Sequence, residues 1–287
     1  MTECKDAKNF IQKKYEVIES KISETQQIEE SEVEPLLKST IRRGVPQNSR
    51  GKVRIRLESG TCTGSMISSR VVLTAAHCLV DDLTIAGQAL KSARVRVPGV
   101  DYFDPDLSSP NYTTVARGTM RLIIIGAYAG DGDVQSDIGL IISDTPFMGT
   151  TPDDYLRFYV GTMSNGRWNY IHGQGYNAYN GSGLGVMRSG REYVSWYGTY
   201  HFYGIESGDI QICSGDSGGP WVRDDGTDDA ITGITSTSEH SVSNRCTGRD
   251  GKFRACRTSH KVAWINAELV AIGLPGCTTS GEFSQCY

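Results

Sequence analysis

No apolar run in this chain approaches the roughly 20 residues that a membrane helix needs; the longest, residues 71–80, is shorter and contains a histidine. Residues 1–20 lack the apolar core of a signal peptide. No group of cysteines and histidines has zinc spacing, so neither a metal nor a cofactor is expected. Neither sign of charge dominates. Lys and Arg number 29 against 33 Asp and Glu, a net charge of −4 that gives no reason to invoke nucleic acid or an anionic membrane as partner. Glycine is missing from residues 1–40, so all 33 glycines fall in the remainder. Long helical patterns are scarce there, and with 14 tyrosines the composition leans to an all-β fold. At 287 residues the chain can hold one large or two small domains with a sizeable core.

What is present centres on Cys213-Ser214-Gly215-Asp216-Ser217-Gly218-Gly219-Pro220. A serine hydroxyl is a weak nucleophile that needs a base, a fixed position and a place for developing negative charge. The glycines permit tight backbone turns. The N–H groups of Gly215 and Ser217 can then converge on a substrate oxygen as an oxyanion hole. The base stands upstream in Leu73-Thr74-Ala75-Ala76-His77-Cys78, and between them Asp137 opens the apolar run Ile138-Gly139-Leu140-Ile141. A lone histidine is usually structural and a lone Gly-Asp-Ser-Gly-Gly is often only a turn. In the order His, Asp, Ser, the three motifs support one another.

On these motifs the sequence resembles the trypsin/chymotrypsin family of serine endopeptidases, over about residues 41–272. The resemblance implies an all-β fold of two six-stranded antiparallel β-barrels with a C-terminal helix. The first barrel would span residues 41–153, the second 154–258, and the helix and tail 259–287. It implies a catalytic triad of His77, Asp137 and Ser217, with Ser236 bonded to the triad aspartate. Residues 1–40 would be a propeptide-like extension. Cleavage after Thr40 would free the α-ammonium of Ile41 to pair with Asp216. Disulfides would join Cys62 to Cys78, and Cys213 to Cys246 or else Cys256; Cys277 and Cys286 could close a loop in the tail. Cys4 and the leftover cysteine would then be free to tether the N-terminus. Paired cysteines imply secretion or another oxidising compartment.

The primary specificity pocket would have Gln211 at its floor, two residues before Cys213, with Ser238 and Phe253 at its walls. A neutral floor gives a substrate Arg or Lys no counter-charge, unless Glu206 or Asp209 reaches in. Partners would be a protein or peptide substrate, an activating protease and an inhibitor, with the chain itself a monomer. The competing reading is a proteolytically silent binding or regulatory module on the same fold.

Local patterns fill in the rest. In the leader, Ile11, Tyr15, Ile18 and Ile22 recur at helical spacing, which suits a solvated tail as well as a propeptide. Val53, Ile55 and Leu57 alternate with charged residues as a half-buried strand. Asp101, Asp104 and Asp106 lie close enough in sequence to bind calcium, or to form a solvated loop. Asn111-Tyr112-Thr113 and Asn180-Gly181-Ser182 are glycosylation sequons. Residues 145–154 read as the linker between barrels. Residues 170–176 open the second barrel, with His172 structural and Gln174 where the family has tryptophan. Residues 193–203 read as one aromatic core strand, residues 231–237 as a strand lining the cleft, and residues 260–272 as the helix.

Overall fold

The computed structural model describes residues 45–46, 51–57, 60–80, 93–96, 120–125, 128–129, 133–144, 146–147, 152–176, 184, 187–205, 211–224, 230–238 and 252–287. The leader, Ile41, the acidic run at 101–106, both sequons, Glu206, Asp209 and Cys246 lie outside them. The chain from Ser39 to Tyr287 forms one unit.

In chain order the strands are β1 (Val45–Pro46), β2 (Lys52–Leu57), β3 (Gly60–Ser68), β4 (Val71–Thr74), β5 (Ala93–Arg96), β6 (Met120–Ile124) and β7 (Gly139–Ser143). They continue with β8 (Arg157–Tyr159), β9 (Arg167–Gly173), β10 (Arg188–Tyr197), β11 (His201–Ile205), β12 (Pro220–Arg223), β13 (Ala230–Ser238) and β14 (Lys252–Arg257). A helix, α1 (Val262–Ala271), and a final hairpin, β15 (Cys277–Ser280) and β16 (Phe283–Cys286), complete the body. The fold is therefore mostly β.

Strands β2 to β7 build an antiparallel six-stranded sheet in the order β5-β2-β3-β4-β7-β6. Strands β9 to β14 close into a barrel, because β12 pairs with both β9 and β13 while β10, β11 and β14 complete the ring. Val53 and Ile55 in β2 are fully buried with Met66, Val72 and Ile141 inside the first sheet. A second core, with Ile171, Phe202, Trp221 and Phe253, fills the closed barrel. A third joins the two: Leu73, Ile138 and Leu140 pack with Phe158, Ile234 and Cys256, and with Val262, Ile265 and Leu269 of α1. Those three helix positions lie three and four residues apart, on one face.

The aromatic stretch at 193–203 departs from the sequence reading. It is a hairpin, β10 turning into β11, closed by a bond from the Gly198 amide to the His201 carbonyl. Its outer face leaves Tyr193, Trp196 and Tyr200 exposed, while Val194 and Phe202 point into the barrel. Period-two alternation is the same for one long strand and for two short ones joined by a tight turn.

Candidate active site

Sheet register brings the three motifs together. Thr74 pairs with Gly139 across β4 and β7, so His77, three residues past β4, meets Asp137, two residues before β7. In the second barrel Pro220 pairs with Ile234, so the serine loop ahead of β12 runs beside the end of β13, which carries Ser236.

His77 sits in a short 3-10 turn, Ala76–Cys78, that is pinned to β3 by the Cys62–Cys78 disulfide. The His77 backbone N–H donates to Asp137 Oδ1 at 2.9 Å, and the ring Nδ1 faces Asp137 Oδ2 at 2.7 Å. Ser236 Oγ donates to the same Oδ2 at 2.5 Å. Asp137 is only 2% exposed. Burial pushes its pKa up, but the charge of His77 and the hydrogen bonds from His77 and Ser236 outweigh burial and hold it below the ordinary carboxylate value. An ionised aspartate of this kind fixes a ring with Nδ1 protonated, leaving Nε2 as the basic nitrogen.

The serine loop is held from both sides. Thr63 of β3 donates its N–H to the Ser217 carbonyl at 2.8 Å and its hydroxyl to the Gly215 carbonyl at 2.8 Å, while that hydroxyl accepts the Gln174 N–H at 3.0 Å. Gly218 donates to the Thr235 carbonyl at 2.8 Å. Two glycines have no substitute here. Gly218 has φ +79°, and a Cβ there would fall 2.1 Å from Thr74 Oγ1; Gly215 has φ +101°, with a Cβ 2.7 Å from the Gly175 Cα. Ser217 is partly exposed while Gly215 and Asp216 are buried.

Asp216 is fully buried. Its Oδ1 accepts the Gly175 N–H at 2.7 Å and its Oδ2 the Cys213 N–H at 2.8 Å. Burial raises its pKa to about 7, against the lowering effect of those two amides and of the nearby Arg188 charge. Arg188, itself 2% exposed, is brought down to about 10 by burial, with the Asp216 charge opposing.

The pocket residues separate. Gln211 is buried beside Ile212. Ser238 ends β13 and pairs in register with Phe253 of β14. Phe253 does not stand at an open wall: it is fully buried in the barrel core with Ile212, Phe202 and Trp221, so its expected place at the pocket wall is corrected. Alternation along β14 turns this aromatic inward.

Cys213 is disulfide-bonded, and Cys277 is joined to Cys286. Cys256 is a free, buried thiol, so the alternative pairing of Cys213 with Cys256 is ruled out; Cys246 lies outside the described residues. Cys256 Sγ donates to the Gln135 carbonyl at 3.5 Å, and burial, followed by the Asp137 charge, pushes its pKa far up. His172 is buried, and burial together with the Lys52 charge keeps it neutral. Among the described residues, the Cys/His group tight enough for an ion is Cys62, His77 and Cys78, whose two sulfurs are consumed by their disulfide.

One residue that ties the site together, Thr63, escaped the sequence reading, although it had a signal, since it follows the cysteine bridged to the histidine turn.

The family model for trypsin matches residues 41–253. Among curated proteins nothing matches. Among solved structures, neuropsin, a serine protease expressed in the limbic system of mouse brain, is similar, with a TM-score of 0.60 over 79% of this chain and 98% of neuropsin. At 19% identity that likeness is one of fold. With the family model covering most of its length, the chain belongs to the trypsin family of serine proteases.

Proposed function

We propose that this chain is a serine endopeptidase that hydrolyses peptide bonds through an acyl-enzyme. Ser217 Oγ attacks the scissile carbonyl and its proton passes to His77 Nε2. The tetrahedral intermediate expels the amine, which takes that proton, and water repeats the sequence on the acyl-enzyme. Asp137 orients the imidazole and stabilises the imidazolium. The amides of Gly215 and Ser217 bind the oxyanion, a contribution of about 3 kcal/mol per donor. The observation that carries this reading is Asp137, buried and ionised, bonded to both the ring and the backbone of His77 and to Ser236.

The substrate is a protein or peptide, and Gln211 as floor residue selects neutral side chains before the scissile bond, with Ser238 beside it. The disulfides fit secretion or another oxidising compartment. No helix among the described residues is long and apolar enough to cross a membrane. The chain acts as a monomer, and an activating protease and an inhibitor are its expected protein partners. Cleavage between Thr40 and Ile41 raises activity to its full level. The freed Ile41 ammonium pairs with the buried Asp216 carboxylate in this reading.

Labelling with a fluorophosphonate probe tests the reading. The wild-type protein should be labelled at Ser217, and Ser217→Ala should lose both labelling and peptide hydrolysis while keeping its thermal transition. His77→Ala should lose a comparable factor, because triad members act as a unit. A wild-type protein refractory to the probe both before and after cleavage at Ile41 would make the fold a silent binding module.

A further inference from the structure

The end of the closed barrel remote from the serine loop holds a surface cavity of about 180 Å³ that the proposed chemistry does not use. Gly173, at one end of β9, packs on Asp216, whereas Arg167 stands at the other end, about 20 Å away along the strand. Arg223 likewise ends β12, on the far side of Pro220 from Ser217. Tyr159, Met163 and Trp168 line the cavity together with Arg167, Arg191 and Arg223. Its walls are fixed in advance. The Gly166 N–H donates to the Val194 carbonyl at 2.9 Å, the Tyr197 N–H to Asn165 Oδ1 at 2.7 Å, and the Tyr159 hydroxyl to the Thr162 carbonyl at 3.3 Å.

Two of the guanidinium groups rest on aromatic faces. Arg223 lies 4.0 Å from the centre of the Tyr159 ring, with its side chain only 16% exposed. Arg191 lies 4.7 Å from the centre of the Trp168 ring, which Tyr193 braces edge-on. Stacking fixes a guanidinium without consuming its N–H donors. Arg191 spends its Nε on the Asp224 carboxylate, which leaves its terminal nitrogens to another acceptor. Arg167 is exposed and makes no ion pair among the described residues. The counter-charges are Asp224, in the cavity wall, and the exposed Glu282, 3.8 Å from Arg223. Positive charge is therefore in excess here, on a chain whose net charge is −4.

We propose that this cavity is a docking site for an acidic segment of a protein partner, with one carboxylate held among Arg167, Arg191 and Arg223 and a neighbouring apolar side chain against Met163 and Trp168. The planar forks of arginine match a carboxylate and desolvate readily against aromatic rings. A continuous polyanion, such as a sulfated glycan, suits the cavity less. Asp224 and Glu282 would repel its successive charges, and the apolar wall would go unused. A peptide instead brings a single carboxylate and an apolar side chain together. Lying at the other end of the barrel, the docked segment leaves Ser217 open, so the site is separate from the cleft.

The test follows the fluorescence anisotropy of a fluorescein-labelled Glu-Glu-Leu-Glu-Glu-Leu peptide on the full chain carrying Ser217→Ala. Binding is thus read without catalysis and stands or falls apart from the endopeptidase reading. The peptide should bind with a Kd on the order of 10–100 μM, weakening about tenfold between about 50 and 500 mM salt. Its Gln-Gln-Leu-Gln-Gln-Leu counterpart should bind at least about 20-fold more weakly. Arg191→Gln and Arg223→Gln, which keep part of the side-chain packing, should each lose about tenfold. Arg167→Glu alters an exposed side chain with no ion pair to break, so it should lose as much while keeping its thermal transition. Equal binding of the Glu and Gln peptides would overturn the proposal, as would no binding of the Glu peptide at about 1 mM, or parental affinity in both Arg167→Glu and Arg191→Gln. A heparin hexasaccharide that binds through these arginines where the Glu peptide does not would make the cavity a polyanion site and overturn it equally.

Discussion

Replacing Thr63 by Val keeps the shape of a fully buried side chain and removes one hydroxyl. That hydroxyl donates to the Gly215 carbonyl and accepts the Gln174 amide, so the change orphans a buried acceptor and a buried donor together. Each unsatisfied group costs about 1–3 kcal/mol, or about 2–6 kcal/mol for the pair. For a body of this size that corresponds to a fall in Tm of about 5–20 °C. The catalytic effect follows from geometry. In the proposed mechanism Gly215 supplies an oxyanion amide, and with its carbonyl released the loop loses one of the anchors that aim it. Loss of a whole donor costs 10²–10³ in kcat, so a loosened one should cost about 10- to 100-fold. KM should barely move, because Thr63 is fully buried and makes no contact with the substrate. Scanning calorimetry and steady-state hydrolysis of a neutral peptide would measure both numbers, with Thr63→Ser, which retains the hydroxyl, as the restoring control. Wild-type Tm and kcat in Thr63→Val would refute the claim that this side chain fastens the serine loop.

Two further outcomes can be checked. Asp216 has its pKa raised from 3.8 to about 7, so between those values the folded chain holds a proton that the unfolded chain has released, and stability falls as pH rises through that window. Asp216→Asn should therefore flatten the stability profile between pH 4 and 7 while losing activity, because its NH2 would face one of the two backbone N–H donors that the carboxylate accepts; an unchanged slope in urea melts would contradict this. Profiling on a peptide library should show medium-sized neutral side chains ahead of Arg and Lys before the scissile bond, because buried Gln211 offers no compensating charge. A preference for Arg or Lys above about a hundredfold would exclude Gln211 as the floor and direct attention to Asp209→Ala and Glu206→Ala.

Chemistry was more legible in the sequence than geometry. His77, Asp137 and Ser217 stand in short motifs whose residue types suggest the roles proposed for them, and the alternation of Val53, Ile55 and Leu57 marks a strand without any tertiary information. The helix was legible for the same reason: Val262, Ile265 and Leu269 form a stripe that can only be buried on one side. Register was not legible. Nothing local says that Thr74 opposes Gly139, or that Arg188 opposes Gly173, since both pairings depend on how non-adjacent strands dock. Phe253 shows the cost of working without register. The family resemblance placed it at a pocket wall, but the pleat of β14 sends the ring into the core beside Ile212.

The same long-range pairings explain why the site needs both halves of the fold. Asp137 belongs to the first sheet, yet one of its hydrogen bonds comes from Ser236 on β13 of the second barrel. Ser217 belongs to the second barrel, yet its carbonyl and that of Gly215 are fastened by Thr63 on β3 of the first sheet. Each half of the machinery is thus braced by the other, and neither is complete alone. The bracing bonds are few and polar, so they cannot supply the docking energy. That falls to the shared apolar core, where Leu73, Ile138 and Leu140 meet Phe158, Ile231 and Ile234 over α1. At about 25 cal/mol per Å² of apolar area, burial of this kind holds the two halves together, and the hydrogen bonds across the seam set their alignment.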